Sequence, residues 1–432
     1  MNEPDAQSND ICDAIDGVRI ADLIAEHGSP LFVFSEATLR QSYRAAYTAF
    51  ATRYPDVQFA WSYKTNYLKA VCAVFHREGA IAEVVSDFEY DKARGMGIPG
   101  QDIIFNGPYK QQAALERAVI EGAKIQIDHF DELAALDAIA EARGQTVNVA
   151  IRIHADTGIG SVWTKFGFNA DSSEAIQAIE RIRATRYLRL VGLHCHIGTY
   201  ILKPSAYTRA TEKLLDLAEV VRRDYRFEVE YLNLGGGFAP QSQQQVPSFD
   251  DYAEAIAKPI RSRWPSGIKL PHLYLESGRA LVDDAGYLIT TIVAMKHEAD
   301  YLVDAGINLL NAAHWYPIGV WPARPGTGPS SDRTLYGCLC MNTDVLRQKV
   351  PLPNLNVGDQ LVLHPVGAYQ LSQSMQFITY RPKVLFVTES GAVEVIREKE
   401  DLGYVEALDR LPSRLMQHNP GLRSPSARFD LG

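Results

Sequence analysis

The segment LVGLHCHIG (190–198) sets the fold class, because an apolar run ends here in histidine and glycine residues. Similar runs occupy the first two-thirds of the 432-residue chain, and nearly all of them end in polar or glycine-rich residues. Short apolar runs with such boundaries are typical of buried strands. The other seven are VQFAWSYKTN (57–66), IAEVVS (81–86), DIIFNG (102–107), KIQIDH (124–129), VNVAIRIH (147–154), VEYLNLGGG (229–237) and KLPHLYLESGR (269–279).

Stretches with helical periodicity separate these runs, and such an alternation predicts parallel strands joined by right-handed crossovers. Eight units are enough to close a barrel, whose active site lies at the carboxyl ends of the strands. We therefore predict an α/β fold in which residues 36–284 form a (β/α)8 TIM-type barrel. The predicted helices include residues 67–78, 111–122, 131–142, 173–182 and 207–224.

The chain after Arg279 has a different character, with weak helical signals and several β-rich runs. Turn-rich segments at 322–331 and 351–359 interrupt these runs. We predict a second, mostly β domain made of residues 1–35 and 285–432, to which LFVF (31–34) could add a strand. The β-rich runs lie at 287–296, 360–369, 376–382 and 383–390.

The amino-acid composition indicates which partners and which cellular compartment to expect. The formal charge of −9 argues against nucleic acid and anionic membranes as partners. The N-terminal stretch MNEPDAQSNDICDAIDG has no apolar core, which predicts neither a signal peptide nor a transit peptide, and no window is long enough to span a bilayer. The five cysteines form no disulfide-scaffold pattern, so we predict a cytoplasmic protein.

Two features at predicted strand ends suggest a bound phosphorylated aldehyde. Gly235, Gly236 and Gly237 follow the seventh strand, where barrels commonly bind phosphate on backbone amides, although a turn without a ligand is the alternative. Lys64 lies near the end of the first strand, where burial would lower the pKa of its ammonium and make it a Schiff-base nucleophile. A solvated rim position is the simpler interpretation of Lys64. Together, the two features suggest pyridoxal phosphate.

Two further strand ends carry side chains that suit this cofactor. His194 and His196 share one face of the sixth strand and could line a flat ring, fill the core or bind a metal. No carboxylate lies at a supportive local spacing, so metal ranks lowest and we predict none. Glu276 ends the eighth strand, where it could hold a protonated pyridine nitrogen or simply pair with Arg279.

Several ordered motifs give the chain a resemblance to a known enzyme family. Residues from about 30 to about 385 resemble the fold-type III pyridoxal-phosphate decarboxylases, which share an alanine racemase-like barrel and include diaminopimelate and ornithine decarboxylases. The order and spacing of the motifs are together highly specific. They are Tyr63-Lys64-Thr65-Asn66, Lys165-Phe166-Gly167, His194-Cys195-His196-Ile197-Gly198, Gly235-Gly236-Gly237, Glu276-Ser277-Gly278-Arg279, Gly337-x-x-Cys340-x-x-x-Asp344 and Gly367-Ala368-Tyr369.

The resemblance implies that Lys64 carries pyridoxal 5'-phosphate in an active site shared between the two chains of a homodimer. Cys340 is implied to enter from the other subunit and to help deliver the proton to Cα, and Lys165 and Asp344 to pair across the same interface. The implied catalytic residues are thus Lys64, His196, Glu276 and Cys340. The resemblance also implies a set of residues that contact the cofactor. They are Lys64, His196, Glu276, Glu83, Arg152, Thr199, Gly235, Gly236, Gly237, Gly278, Arg279 and Tyr369.

The predicted substrate pocket departs from the family pattern. In diaminopimelate decarboxylases a glutamate follows the cysteine, and here that residue is Met341. Those enzymes also carry an arginine in an Arg-Pro-Ala-Leu-Tyr segment, which corresponds here to AAHWY (312–316). Unpaired polar groups in a closed site cost about 1–3 kcal/mol each, so diaminopimelate fits poorly. We predict a larger or conjugated amino acid of a siderophore- or antibiotic-type pathway, bound by His314, Tyr316, Met341, Asn342 and Gln373.

Three other functions remain open from the sequence. One is decarboxylation of meso-diaminopimelate in lysine biosynthesis, if other residues replace the missing contacts. Another is an amino-acid racemase, but alanine racemases pair the pyridine nitrogen with arginine and use a tyrosine as second base, so Glu276 and Cys340 favour decarboxylation. The third is a non-catalytic regulatory relative, which would be expected to lose the lysine or the phosphate site, whereas this chain keeps both.

Overall fold

The chain folds into a closed parallel barrel joined to a second, mostly β domain, as the sequence predicts. The computed structural model describes residues 11–297, 300–310 and 318–416. Its strands are β1 (Ala14–Ile15), β2 (Val18–Arg19), β3 (Leu31–Ser35), β4 (Val57–Ser62), β5 (Ile81–Val84), β6 (Ile103–Phe105), β7 (Lys124–Ile127), β8 (Val147–His154), β9 (Phe168–Asn169), β10 (Leu188–Cys195), β11 (Tyr231–Asn233), β12 (His272–Leu275), β13 (Gly286–Lys296), β14 (Asp300–Val303), β15 (Gly319–Pro322), β16 (Thr327–Tyr336), β17 (Val345–Asn354), β18 (Gln360–His364), β19 (Val384–Val387) and β20 (Val393–Arg397). Its α-helices are α1 (Ile20–His27), α2 (Glu36–Ala51), α3 (Lys69–Arg77), α4 (Asp87–Gly95), α5 (Gln112–Glu121), α6 (Phe130–Arg143), α7 (Glu174–Ala184), α8 (Ser205–Asp224), α9 (Phe249–Arg263), α10 (Arg279–Val282), α11 (Leu402–Val405) and α12 (Ser413–Met416).

Eight strands close the barrel. Strands β4 to β8 pair in order, β8 pairs with β10, β10 to β12 pair in order, and β12 returns to β4, with every pairing parallel. Because side chains alternate along a strand, one set faces the barrel axis and the other faces the surrounding helices. The axial set forms a separate buried cluster of Ala60, Ile104, Ala150, Val191, Tyr231 and Tyr274.

Polar residues succeed this apolar layer at the carboxyl end of the barrel. Two positions beyond a member of the cluster, on the same face of their strands, lie Ser62, Asn106, Arg152, Asn233 and Glu276. Four of them are less than 7% exposed and Arg152 is 7% exposed, so their polar atoms need partners within the protein. The barrel interior therefore changes from apolar to polar where its active site is expected.

Local signals start and stop the helices next to these strand ends. Ser86 precedes α4 and His129 precedes α6, and each side chain accepts a hydrogen bond from a backbone N–H of the first helical turn. Gly122 and Gly144 end α5 and α6 in the left-handed conformation that favours glycine. Across the described ranges, no helix combines the length and apolar character that a membrane crossing requires.

The second domain takes one strand from the N-terminal segment. Strand β3 pairs antiparallel with β13 and parallel with β19, which confirms the prediction that LFVF (31–34) adds a strand. Strand β13 also pairs with β18 and β14, so it joins β14, β16 and β17 to the other strands of the sheet. The faces of these strands bury Leu31, Val33, Ile289, Val362 and Leu385 in one cluster.

One prediction within the second domain is wrong, and two are confirmed only in part. The segments 322–331 and 351–359, predicted as turns, contain no strand at 323–326 and 355–359, but they also run into the paired strands β16 and β17, because the partner strand supplies hydrogen bonds that local composition does not reveal. Residues 376–382, predicted as β-rich, form no strand. The Thr379 amide donates to the carbonyl of Phe377 at 2.6 Å, and Ile378 has a φ of 46°, so the chain turns back on itself there.

Candidate active site

A cavity of about 470 Å³ opens where the barrel strands end. Its wall combines side chains at the strand ends, the loops that follow them, and two residues of the second domain. Eleven of the predicted site residues line it, so the structure brings most of the predicted site together. They are Lys64, Glu83, Arg152, His196, Thr199, Gly237, Glu276, Gly278, Arg279, Tyr369 and Gln373.

Lys64 lies in a short 3-10 turn that directly follows β4. Its Nζ donates to Ser62 Oγ and to Glu83 Oε2, each at 2.6 Å. Burial lowers the pKa of the Lys64 ammonium, but Glu83, together with Tyr369 and Glu276, outweighs burial, and the pKa lies above its usual value. The predicted low pKa is therefore wrong for this arrangement, because the sequence does not reveal that Glu83 faces Lys64 from the neighbouring strand.

Glu276 follows β12 and is 6% exposed. Its Oε1 accepts hydrogen bonds from Asn106 Nδ2 at 2.7 Å and from Asn233 Nδ2 at 2.5 Å, and its Oε2 lies 3.5 Å from His194 Nε2. Burial raises the pKa of the Glu276 carboxyl, but His194, Lys64 and Asn106 together lower it by more than burial raises it. The pKa of Glu276 is therefore well below its usual range. Glu276 is therefore an ionised carboxylate that faces the cavity.

His196 forms part of the cavity wall as a neutral ring. Its Nδ1 accepts the backbone N–H of Gly236 at 3.0 Å, which fixes the orientation of the imidazole. Burial, with Arg152 and Lys64, lowers the pKa of His196 to about 3, so the ring is uncharged at neutral pH. Trp163 meets it edge to face with ring centroids 5.6 Å apart.

The loop after β11 approaches its neighbours so closely that side chains are excluded. A Cβ on Gly235 would collide with the His196 ring, one on Gly236 with the backbone of Glu276, and one on Gly237 with the backbone of Gly198. The carbonyl of Gly236 accepts a hydrogen bond from Tyr207 Oη on α8 at 2.7 Å, which holds the loop in place. The backbone N–H groups of Gly235 and Gly236 donate to Asn233 Oδ1 and His196 Nδ1, so Gly237, which lines the cavity, is the glycine placed to offer an N–H to an anion such as phosphate.

The helix that follows Glu276 adds a cation beside this loop. Arg279 is 4% exposed, its Nη1 donates to Asp283 Oδ2 at 3.0 Å, and its guanidinium lies 5.0 Å from the centroid of the Tyr369 ring. Tyr369 is held in turn by its backbone N–H, which donates to the Thr65 carbonyl at 2.8 Å. Gly278 packs against Thr65 with no room for a Cβ. Thr199 is exposed at the cavity edge.

Arg152 places a second buried guanidinium in the cavity wall. The Arg152 guanidinium lies 4.5 Å from the centroid of the Phe166 ring, and Nη1 is 3.8 Å from Asp128 Oδ1. Glu83, predicted alongside Arg152, is 1% exposed and holds Lys64. Both residues thus lie in the cavity, and their roles toward a cofactor stay predictions.

The predicted substrate residues are divided by the structure. Gln373 lines the cavity, whereas Cys340, Met341 and Asn342 lie exposed in the turn between β16 and β17, outside the cavity wall of their own chain. The remaining two, His314 and Tyr316, lie outside the described residues.

Asp344 organises the turn that carries Cys340. It is 3% exposed, and its carboxylate accepts the backbone N–H groups of Ile307 at 2.7 Å and Leu339 at 2.6 Å. The resemblance did not imply this role. A pairing of Asp344 with Lys165 of a second copy stays a prediction, as does delivery of Cys340 by that copy.

Sequence reasoning missed several residues at the site, among them Ser62, Asn106, Asn233 and Trp163. The first three end or follow strands β4, β6 and β11 and lie in the quoted runs, so the alternation of side chains could have placed them beside Lys64 and Glu276. Trp163 lies in the loop after β8, where the sequence offers no periodic signal.

The residues present fit pyridoxal phosphate. Lys64 supplies an amine, Glu276 an ionised carboxylate, and His196 a neutral ring wall. Gly237 and the buried Arg279, both in the cavity wall, provide a backbone amide and a cation for a phosphate group. A closed parallel barrel with this set of groups at its carboxyl end defines the class of pyridoxal-phosphate barrel enzymes.

Comparison with known proteins identifies the family. Residues 40–283 match the model of the family described as pyridoxal-dependent decarboxylase, pyridoxal binding domain. The chain belongs to this family, and it is a pyridoxal-phosphate-dependent carboxy-lyase.

Individual relatives cover nearly the whole chain. Diaminopimelate decarboxylase of Methanothermobacter thermautotrophicus is 30% identical over 96% of this chain and 99% of the relative. L-glutamyl-[BtrI acyl-carrier protein] decarboxylase of Niallia circulans is 27% identical over 89% of this chain and 94% of the relative. The structure of diaminopimelate decarboxylase from Methanocaldococcus jannaschii with L-lysine aligns with a TM-score of 0.85 and 28% identity, over 95% of this chain and 99% of the other.

Proposed function

We propose that this decarboxylase acts at Cα of an amino acid that is larger than diaminopimelate or conjugated, and whose distal part carries no free ammonium. The proposal rests on one observation, which is that both carboxylates in the described part of the cavity wall already bind other side chains. Glu83 binds Lys64 and Glu276 binds two asparagines. A distal ammonium would therefore meet no free carboxylate there, and an unpaired buried charge is costly.

The remaining wall suits an uncharged distal group. Val85, Pro108 and Trp163 contribute apolar surface, and Gln373 contributes an amide from the second domain. In the proposed homodimer, Met341 and Asn342 of the second copy would add a thioether and another amide. These groups form hydrogen bonds and apolar contacts, while Arg152 and Lys165 in the same wall disfavour a distal ammonium, which is the preference expected for a conjugated substrate.

The chain's own residues prepare the site for loss of CO₂. Bound pyridoxal phosphate supplies an electron sink for the electron pair left at Cα. Lys64 would hold the cofactor, Glu276 would keep the pyridine nitrogen protonated, and His196 would support the face of the ring. Arg279 and the loop at Gly235–Gly237 would bind the phosphate. Protonation at Cα then needs an acid, and Lys64 and the second copy's Cys340 are the proposed donors.

One relative supports a conjugated substrate. The Niallia circulans enzyme is named for an L-glutamyl group on an acyl-carrier protein, which is an amino acid joined to a large carrier. We place the present enzyme in a comparable siderophore- or antibiotic-type pathway.

Decarboxylation of meso-diaminopimelate is the second candidate function. A specific observation favours it, because relatives named diaminopimelate decarboxylase match the chain at 29–30% identity over more than nine-tenths of its length. In that case, residues other than a glutamate after Cys340 would bind the distal ammonium. The racemase and the regulatory relative have no such support, since the relatives are named decarboxylases.

CO₂ release by the cofactor-loaded protein tests the proposal. The substrates are meso-diaminopimelate, lysine, ornithine, arginine, 2,4-diaminobutyrate and a citryl-conjugated diamino acid. We expect release from the conjugate and little from free diamino acids. Met341→Glu should shift the preference toward diaminopimelate, because it restores a carboxylate after the cysteine. Efficient turnover of free meso-diaminopimelate by the unmodified enzyme would overturn the proposal.

A further inference from the structure

One amide connects the two carboxylates of the cavity. Asn106 follows β6, and its Nδ2 donates to Glu83 Oε1 at 3.0 Å and to Glu276 Oε1 at 2.7 Å. An amide nitrogen carries two hydrogens, so each hydrogen serves one carboxylate. Glu83 contacts Lys64 on one side, and Glu276 contacts His194 and Asn233 on the other. Asn106 therefore joins the lysine and the carboxylate on which the proposed function depends.

The carbonyl oxygen of the same amide shows what fixes its orientation. Asn106 is 2% exposed, and its Oδ1 has no hydrogen-bond partner among the described residues. A reversed amide would place Oδ1 against oxygens of Glu83 and Glu276, and two ionised carboxylates cannot donate to it. The orientation is thus set by the carboxylates, even though a buried acceptor is left without a partner.

The charges around Asn106 explain why such a link is useful. Glu83 and Glu276 are both buried, and a buried carboxylate is costly unless hydrogen-bond donors surround it. A neutral donor between them stabilises both charges without adding one. Burial raises the pKa of Glu276, while His194, Lys64 and Asn106 lower it. Asn106 is thus one of the groups that keep Glu276 ionised.

We propose that Asn106 is a positioning residue that clamps Glu83 and Glu276 in one geometry and thereby sets the charge that meets the pyridine nitrogen of the bound cofactor. The inference rests on the proposed roles of Lys64 and Glu276. Without the clamp, Glu276 would be the stronger base and would hold the proton that it is proposed to share with the ring nitrogen. The bound cofactor would then be a weaker electron sink, although Lys64 and Glu276 are still present.

The protonation of the cofactor ring provides a direct test that does not need the substrate. The full-length protein is loaded with ¹⁵N-labelled pyridoxal phosphate, and the ring-nitrogen chemical shift and the dissociation constant are measured. For Asn106→Leu we expect the shift to move toward that of unprotonated pyridine. The dissociation constant should change little, because Asn106 donates its hydrogen bonds to Glu83 and Glu276 within the protein.

Gln126→Leu is the matched control, because Gln126 is also a buried amide of a barrel strand, and its side chain makes no hydrogen bond in the described part of the chain. It should leave the shift unchanged. If Asn106→Leu does not fold, Asn106→Ser, which can donate to only one carboxylate, should give an intermediate shift. A protonated ring in the wild type and an unchanged shift in the foldable Asn106 variant would overturn the role of Asn106 alone. An unprotonated ring in the wild type would overturn the role of Glu276 and this inference with it.

Discussion

Individual charges at the barrel mouth are neutralised by specific neighbours. Lys64 contacts Glu83, and Arg279 contacts Asp283, each through an ion pair with at least one almost fully buried member. Taking a charge out of water is expensive unless a partner compensates it, and removing one partner of a buried pair typically costs 3–5 kcal/mol. Lys64 and Arg279 are therefore constrained in position, which a site that must hold a flat ring requires.

At this scale, we predict that Lys64 is the lysine that carries the cofactor. Reduction of the pyridoxal-phosphate-loaded protein with borohydride should add one pyridoxyl phosphate group to the peptide that contains Lys64, because this amine lies deep in the cavity beside Glu83. Mass spectrometry of the digest identifies the peptide. Lys64→Ala should lose the label, whereas Lys92→Ala, outside the cavity wall, should keep it. A label on Lys165 instead would contradict the assignment.

We also predict that Glu89 makes the free energy of unfolding depend on pH. Glu89 is 5% exposed behind the cavity, and burial, with Glu83 adding to it and Lys64 opposing it, raises the pKa of its carboxyl to about 7 from 4.5. Below pH 4.5 the group is protonated in folded and unfolded chains alike. Between pH 4.5 and about 7 the unfolded chain is ionised while the folded chain is still protonated, so the free energy of unfolding falls by about 3 kcal/mol over that interval.

Denaturant unfolding at pH 5 and pH 8 checks this prediction. Glu89→Gln should remove the contribution of Glu89 to the pH dependence, because the amide does not titrate, so the stability of the variant relative to the wild type should be greater at pH 8 than at pH 5. Glu116→Gln, on the exposed side of α5, should leave the pH dependence intact. An equal decrease in all three proteins would show that Glu89 keeps an ordinary pKa.

Elements act through the loops that leave their ends. The turn after β11 lies between His196, Glu276 and Gly198, and its glycines allow three backbones to meet there. Tyr207 on α8 holds this turn through the carbonyl of Gly236, so a helix outside the barrel helps to set the geometry inside the cavity. A phosphate site of this kind depends on backbone position more than on any one side chain.

Gly236→Ala should therefore weaken cofactor binding without changing any ionisable group. The new Cβ would collide with the backbone of Glu276, and relief of such overpacking typically costs about 1–3 kcal/mol. Fluorescence titration with pyridoxal phosphate should show an affinity loss of about tenfold or more. Gly95→Ala, at the end of α4 with open space around it, is the control and should bind normally. Normal affinity in Gly236→Ala would show that the turn can move without affecting the site.

In the whole molecule, Cys340 lies outside the wall of the cavity of its own chain. The turn that carries Cys340 is exposed on the second domain, and Asp344 stabilises it through two backbone N–H groups. Exposed polar and sulfur-containing residues on a well-ordered turn are suited to contact a second molecule. The proposed homodimer, in which this turn completes the partner's cavity, accounts for the position of Cys340, Met341 and Asn342.

Complementation between inactive variants tests this arrangement. Lys64→Ala and Cys340→Ala should each be nearly inactive alone. When equal amounts are unfolded and refolded together, half of the dimers are hybrid and each hybrid has one intact site, so about a quarter of wild-type activity should return. The substrate is whichever compound releases CO₂ in the panel above. Failure to regain activity, with hybrid dimers confirmed by mass spectrometry, would contradict the shared site.

Hydrophobic periodicity and motif spacing are properties of the chain, so the barrel, the eight strand ends and most of the residues around the cavity could be predicted from the sequence. The N-terminal strand of the second domain could be predicted as well. Three features are visible in the folded protein alone: Glu83 raises the pKa of Lys64, Asn106 links Glu83 to Glu276, and residues 376–382 turn instead of forming a strand. The physical reason is that a pKa, a shared hydrogen bond or a ladder partner depends on residues distant in sequence, whose distances are fixed only when the barrel closes.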